Sequence, residues 1–243
     1  MPPKQKSREW VQNLVTKAFI IEAITDKQGC TTRWQDLPGK PLHDFIFAGI
    51  NSASSLALLA DEPHPVFKHN PEALRLANWQ KSQKFINFGL LEILFPTVAA
   101  RLEDDNPSTV IDTMLGVLKG TTNKDVQSIL ECREIAWSTS ALAHKSSFEP
   151  SRYKHLESVW HFYMQMIQDF DNKSSNYHWS KQFDLGLPMV RAFFNEYQSQ
   201  DEYIDTTKAI FDQQRLLFPD VAVGIIADMC AAALFLHLSF TDI

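Results

Sequence analysis

Apolar residues recur at three- and four-residue spacing along almost the whole chain, and sustained two-residue alternation is absent. That period is helical, so the expected class is all-α. Helices are expected over roughly 8–24, 42–60, 86–102, 151–170, 178–197, 202–216 and 219–239. Three more are marked by start and stop signals. In "HNPEALRLANWQKSQKF" Asn70 suits an N-cap, Pro71 the first helical position and Glu72 the first turn. In "PSTVIDTMLGVLKG" Ser108 is available as a cap and Gly120 as the residue just past the end, and a further helix starts at Asn123.

The connections "LPGKP", "DEPHPVFKHNP" and "DDNP" are short and carry proline, as turns between neighbouring helices do. No repeat, low-complexity tract or heptad run interrupts the pattern. A single compact domain of nine or ten helices over 1–243 follows. The stretch "VAVGIIADMCAAALFLHLSF", residues 221–240, is almost long enough to span a bilayer. Asp228 and His237 interrupt it and no basic flank follows, so it reads as a buried central helix rather than a membrane span.

Composition narrows the classes. With 243 residues and 44% hydrophobic content the chain can build a sizeable core. Net charge is −6, and the 23 Lys and Arg are scattered, so no footprint for a nucleic-acid backbone is present. Cys30, Cys132 and Cys230 lie far apart without metal or disulfide-framework spacing, which suits a reducing, cytoplasmic setting. The basic start "MPPKQKSREW" leads into a segment broken by Lys17 and Glu22, unlike a secretory signal. No membrane partner is expected.

Phosphate-loop, dinucleotide GxGxxG, HExxH and GxSxG motifs are absent, and eight glycines leave no Gly-rich phosphate cradle. His43, His144, His155, His161 and His178 show no metal spacing and read as structural. Met164 and Met166 beside Trp160 and Phe162 read as core filler, and Glu103 to Asp105 as a solvated helix end.

One stretch breaks the helical pattern. "EAITDKQGCTTRWQD", residues 22–36, holds Glu22, Asp26, Lys27, Gly29, Arg33 and Asp36 around a Gly and two Thr that lower helix propensity. Charges gathered in an irregular segment mark a candidate site. The competing reading makes Glu22–Lys27 and Arg33–Asp36 surface ion pairs worth about 0–1 kcal/mol.

This stretch, extended to "IIEAITDKQGCTTRWQDL", resembles the N-terminal signature of the triphosphoribosyl-dephospho-CoA synthase family through Glu22, Lys27, Gly29, Arg33 and Asp36. "LHDFIFAGI" is similar to that family's Asp-Phe helix through Asp44 and Phe45, and "INFGLLEILFPTVAA" to its Asn-rich segment through Asn87, Gly89 and Pro96. "GTTNKDV" and "DNKSSNYHWSKQFDLGLP" continue the order through Asp125, Asp171, Tyr177 and Gly186. Three features depart: Gln28 stands in place of the Pro of Lys-Pro-Gly, only Asn87 remains of an Asn-Thr-Asn segment, and a Gly-Gly pair is missing from "AWSTSALAHKSSFEPS". The resemblance therefore implies a divergent member, with a changed substrate or with catalysis lost.

The resemblance implies a transferase that moves a (tri)phosphoribosyl group from ATP to a cofactor-type acceptor and releases adenine. Displacement at an anomeric carbon calls for a carboxylate base and leaving-group protonation, and a triphosphate for cations. On that reading Lys27 and Arg33 take phosphate oxygens, and Glu22, Asp36 and Asp44 act as base, with Glu22 and Asp36 as Mg²⁺ ligands. Gly29, Asn87 and Gly89 touch ribose or phosphate, and Asp171 and Tyr177 close the pocket. The acceptor is CoA-like or, in an alternative, a cofactor of the tetrahydromethanopterin or methanofuran type. A helical interaction protein without catalysis is the third reading.

Overall fold

The computed structural model describes residues 6–78, 86–122, 124, 125, 127–129, 131, 132, 135, 180–197, 202–217 and 223–241. The expected 151–170 helix, the histidines 144, 155, 161 and 178, and the predicted site residues Asp171 and Tyr177 lie outside the described residues.

Ser7 opens the first helix, α1 (Arg8–Ile24), its hydroxyl accepting from Trp10 N at 3.2 Å and so satisfying one of the end N–H groups. The buried stripe Val11, Leu14, Val15, Ala18 and Phe19 follows the helical period. It packs on α2 (Leu42–Ala57), which a 3₁₀ turn, Leu58–Ala60, continues. Helix α2 comes close because Gly49 faces Phe19: a Cβ there would lie 2.5 Å from that of Phe19.

Further helices among the described residues are α3 (Asn70–Ala77), α4 (Phe88–Glu103), α5 (Val110–Lys119), α6 (Ser180–Tyr197), α7 (Tyr203–Leu217) and α8 (Val223–Thr241). Among the described residues there is no strand, and the chain is all-α. Two boundaries differ from the expected caps. Asn70 lies inside the first turn of α3 rather than capping it, and Thr109 rather than Ser108 precedes α5.

Helix α8 runs through the centre, packing on α1, α4, α6 and α7. Ala231, Ala232, Ala233, Leu234 and Phe235 have no exposed surface, as the apolar run over 221–240 predicts for a buried helix. Each large side chain so buried contributes about 1.5–3 kcal/mol of transfer free energy. Among the described residues one stretch, Leu42–Ala60, is long and apolar enough to cross a membrane by length and composition, a test that core helices also pass.

Helices α4 and α8 lie parallel, with like ends together. At their C-terminal end Arg101, only 4% exposed, donates to the hydroxyl of Ser239 at 2.8 Å and its carbonyl at 3.0 Å. The same guanidinium pairs with Asp105 at 2.7 Å and lies over the Phe240 ring at 4.1 Å. At their N-terminal end Gly89 meets Asp228.

Candidate functional site

The connection from α1 to α2 is built of tight turns. Thr32 and Gln35 exchange backbone hydrogen bonds at 2.9 and 3.3 Å, and Lys40 N donates to Leu37 O at 2.9 Å. Pro38 and Gly39 sit between the last pair, Gly39 at φ +73°, a left-handed position that a side chain would strain. Thr31 ties the turns together: its hydroxyl donates to Lys40 O at 2.6 Å and accepts from Leu37 N at 3.1 Å. Lys40 is thereby carried back toward the end of α1.

Lys27 folds back in the same way, but completely. It is 1% exposed, and its ammonium donates to the carbonyls of Glu22 and of Thr25, the latter at 3.2 Å, while standing 3.1 Å from Glu22 Oε1. A cation there complements the negative end of α1 and holds the Glu22 carboxylate in place.

Between this loop and the joined N-termini of α4 and α8 lies a cavity of about 380 Å³. Glu22, Cys30, Lys40, Asn87, Gly89 and Asp228 supply its polar lining, and Ala23, Phe45, Phe88, Val223 and Ala227 much of the apolar remainder. Helix starts present unpaired N–H groups and a partial positive charge, and here α4 and α8 begin on one cavity.

The start of α4 is unusual. Asn87 precedes it at φ +58°, a left-handed conformation uncommon outside glycine, and its side-chain Nδ2 is buried without a hydrogen-bond partner. Such an orphaned donor costs about 1–3 kcal/mol. Asn70 Nδ2 is buried and unpartnered too, but it does not line this cavity. Gly89 is required by close approach: a Cβ there would stand 2.6 Å from Asp228 Oδ2.

Burial pushes the Asp228 carboxyl well above the usual aspartate range, the negative charges of Glu22 and Glu92 push it further, and Lys40 and Lys27 oppose them. The Cys30 thiol is pushed up to about 11, first by burial and then by Glu22. It is therefore a poor nucleophile at neutral pH despite lining the cavity.

Of the residues singled out in the sequence, Glu22, Gly29, Asn87 and Gly89 meet at this cavity, and Lys27 stands directly behind Glu22. Arg33, Asp36 and Asp44 do not line it. The Arg33 guanidinium lies over the exposed Trp34 ring at 4.9 Å. Asp36 Oδ1 accepts from Leu42 N at 2.7 Å and caps α2, and Asp44 sits in the first turn of α2, 3.4 Å from His43 Nε2. Asp125 is a buried clamp, accepting from Phe67 N and from Thr122 N, each at 2.8 Å.

Glu22 and Asp36, the expected metal pair, thus do not share a cavity, and among the described residues no three His, Cys, Asp or Glu side chains gather closely enough to hold a metal ion. Sequence reasoning passed over Lys40, read only as part of a turn, and Asp228, read only as an interruption of an apolar run. The signal for Asp228 was present: a carboxylate inside an otherwise apolar buried helix is costly and calls for a reason. Compared with known families, curated proteins and solved structures, the chain matches none.

Proposed function

We propose that the cavity at the N-terminal end of α4 and α8 binds a purine nucleoside triphosphate and transfers its triphosphoribosyl part to a hydroxyl of a cofactor-type acceptor. One observation carries this reading: an anion-receiving rim and two carboxylates face the same 380 Å³ of space. The rim is the start of α4, the start of α8, Lys40 and the unpartnered amide of Asn87. The carboxylates are Glu22 and Asp228.

Two carboxyl groups in unlike environments suit the two proton transfers that displacement of a base requires. The acceptor oxygen forms a bond to the anomeric carbon as the carbon–nitrogen bond breaks, its electron pair leaving on nitrogen. Glu22, held by Lys27, takes the hydroxyl proton, and Asp228 gives its proton to the departing ring nitrogen. Neutral base and a new O-glycosidic bond result. The donor set expected for Mg²⁺ is not assembled at the cavity, and no step here passes through a metal. Lys40 and the helix starts take the place that Lys27 and Arg33 have in the family reading, since Lys27 is occupied within α1 and Arg33 lies on Trp34.

Chromatography of the protein with ATP and a panel of hydroxyl-bearing CoA-like, pterin-type and furan-type acceptors tests the reading, run with and without Mg²⁺. Adenine should appear in proportion to acceptor, and Asp228→Asn should lower its rate at least tenfold. A nucleotide that raises the melting temperature without any release of base favours a binding protein of the same ancestry. Neither release nor a thermal shift removes the nucleotide reading.

A further inference from the structure

A second cavity, of about 330 Å³, adjoins the first along Gly29 and Cys30, which line both. Asp26, Lys27, Gln35 and Lys208 give it polar walls, and Trp34, 73% exposed, gives it a flat aromatic surface. The two spaces are also joined by charge. Lys27 lines the second and stands 3.1 Å from Glu22, which lines the first.

An exposed tryptophan has a reason to stay exposed where a ring stacks on it. Its indole contributes little to the core at 73% exposure, and Arg33 lies over the same ring at 4.9 Å, a pairing that offers a planar ligand both π and cationic contact. Polar groups of both signs line the space, with Lys208 held 2.5 Å from Asp212, so the preferred occupant is hydrogen-bonding rather than strongly charged. A group transfer needs two substrates side by side, and a shared wall at a residue without a side chain is where they approach most closely.

We propose that this second cavity is the acceptor's subsite and takes the heteroaromatic ring and hydroxyl groups of a nucleoside-like ligand, with Trp34 as stacking platform. The word acceptor rests on the proposed transfer; the binding of a ring at Trp34 does not. Adenosine, which lacks phosphates, is the probe, titrated by calorimetry into the whole protein with and without saturating ATP.

Adenosine should bind in both conditions, Trp34→Ala should weaken it about tenfold, and Trp34→Phe should restore most of the loss. Because Trp34 is exposed, neither variant should unfold the protein, and their melting temperatures check this directly. Failure of adenosine to bind, equal affinity in Trp34→Ala, or full competition by ATP would each overturn the subsite. If ATP itself does not bind while adenosine still depends on Trp34, the transfer reading fails and the ring site stands.

Discussion

The two ends of the α4–α8 pair hold charge in opposite ways. At the C-terminal end Arg101 is enclosed by Ser239, Asp105, the Asp104 carbonyl and the Phe240 ring, so its donors are used within the fold. At the N-terminal end the Asp228 carboxyl is pushed toward its neutral form and the Asn87 amide has no partner. A satisfied buried charge serves the fold, whereas an unpartnered buried amide beside a cavity marks where a ligand belongs. Both ends lie on the same two helices, so helix identity cannot explain the difference.

The comparison breaks most readily at its structural end. Arg101→Met should destabilise the fold by about 3 kcal/mol, because it removes a buried guanidinium that donates to the Ser239 hydroxyl and carbonyl and pairs with Asp105, leaving Asp105 with Lys6 alone. Urea denaturation reads this, and nucleotide affinity of the folded fraction should not change. At the other end Gly89→Ala should cost about 2 kcal/mol, since Cβ would stand 2.6 Å from Asp228 Oδ2 and push it into the cavity.

Asp228→Asn should stabilise the fold by about 1 kcal/mol at neutral pH, since it removes a carboxylate that the site disfavours. The pH dependence has a definite sign. The folded carboxyl titrates above its unfolded value, so the stability it contributes is full below the ordinary aspartate range and is lost as pH rises through the raised folded value. Melting temperatures of the Asn variant should lack that fall. The smallest effect belongs to Asn87→Gly: relief of the left-handed strain should leave stability within about 0.5–1 kcal/mol of the native protein, while nucleotide affinity drops several-fold.

Much of the fold was legible because helical periodicity and buried apolar length are local signals. Helix α1 begins and ends where the pattern places it, and α8 is as buried as its composition requires. The caps were less legible: Asn70 and Ser108 have the right chemistry, but the preceding backbone decides which residue stands at a helix start. Within the site Glu22, Gly29, Asn87 and Gly89, all singled out in the sequence, line one cavity. Lys27 and Asp36 show the limit of charge patterning. Their types suit phosphate and metal, yet one folds onto its own helix end and the other caps α2, uses that depend on loop geometry no spacing reveals. Lys40 was hidden for the converse reason, since only the Pro38–Gly39 turn carries it to the cavity.

The side-chain amide of Asn87 reports on the central claim most directly. In a two-dimensional nitrogen–proton NMR spectrum its resonance pair, assigned by its disappearance in Asn87→Gly, should shift saturably as ATP is added, because the ligand supplies the acceptor that the buried Nδ2 lacks. The Arg101 side-chain resonance at the opposite end of the helix pair should stay where it is. ATP binding that moves Arg101 and leaves Asn87 unchanged, or an Asn87 signal unmoved at millimolar ATP, would contradict a ligand site at the N-terminal end of α4 and α8.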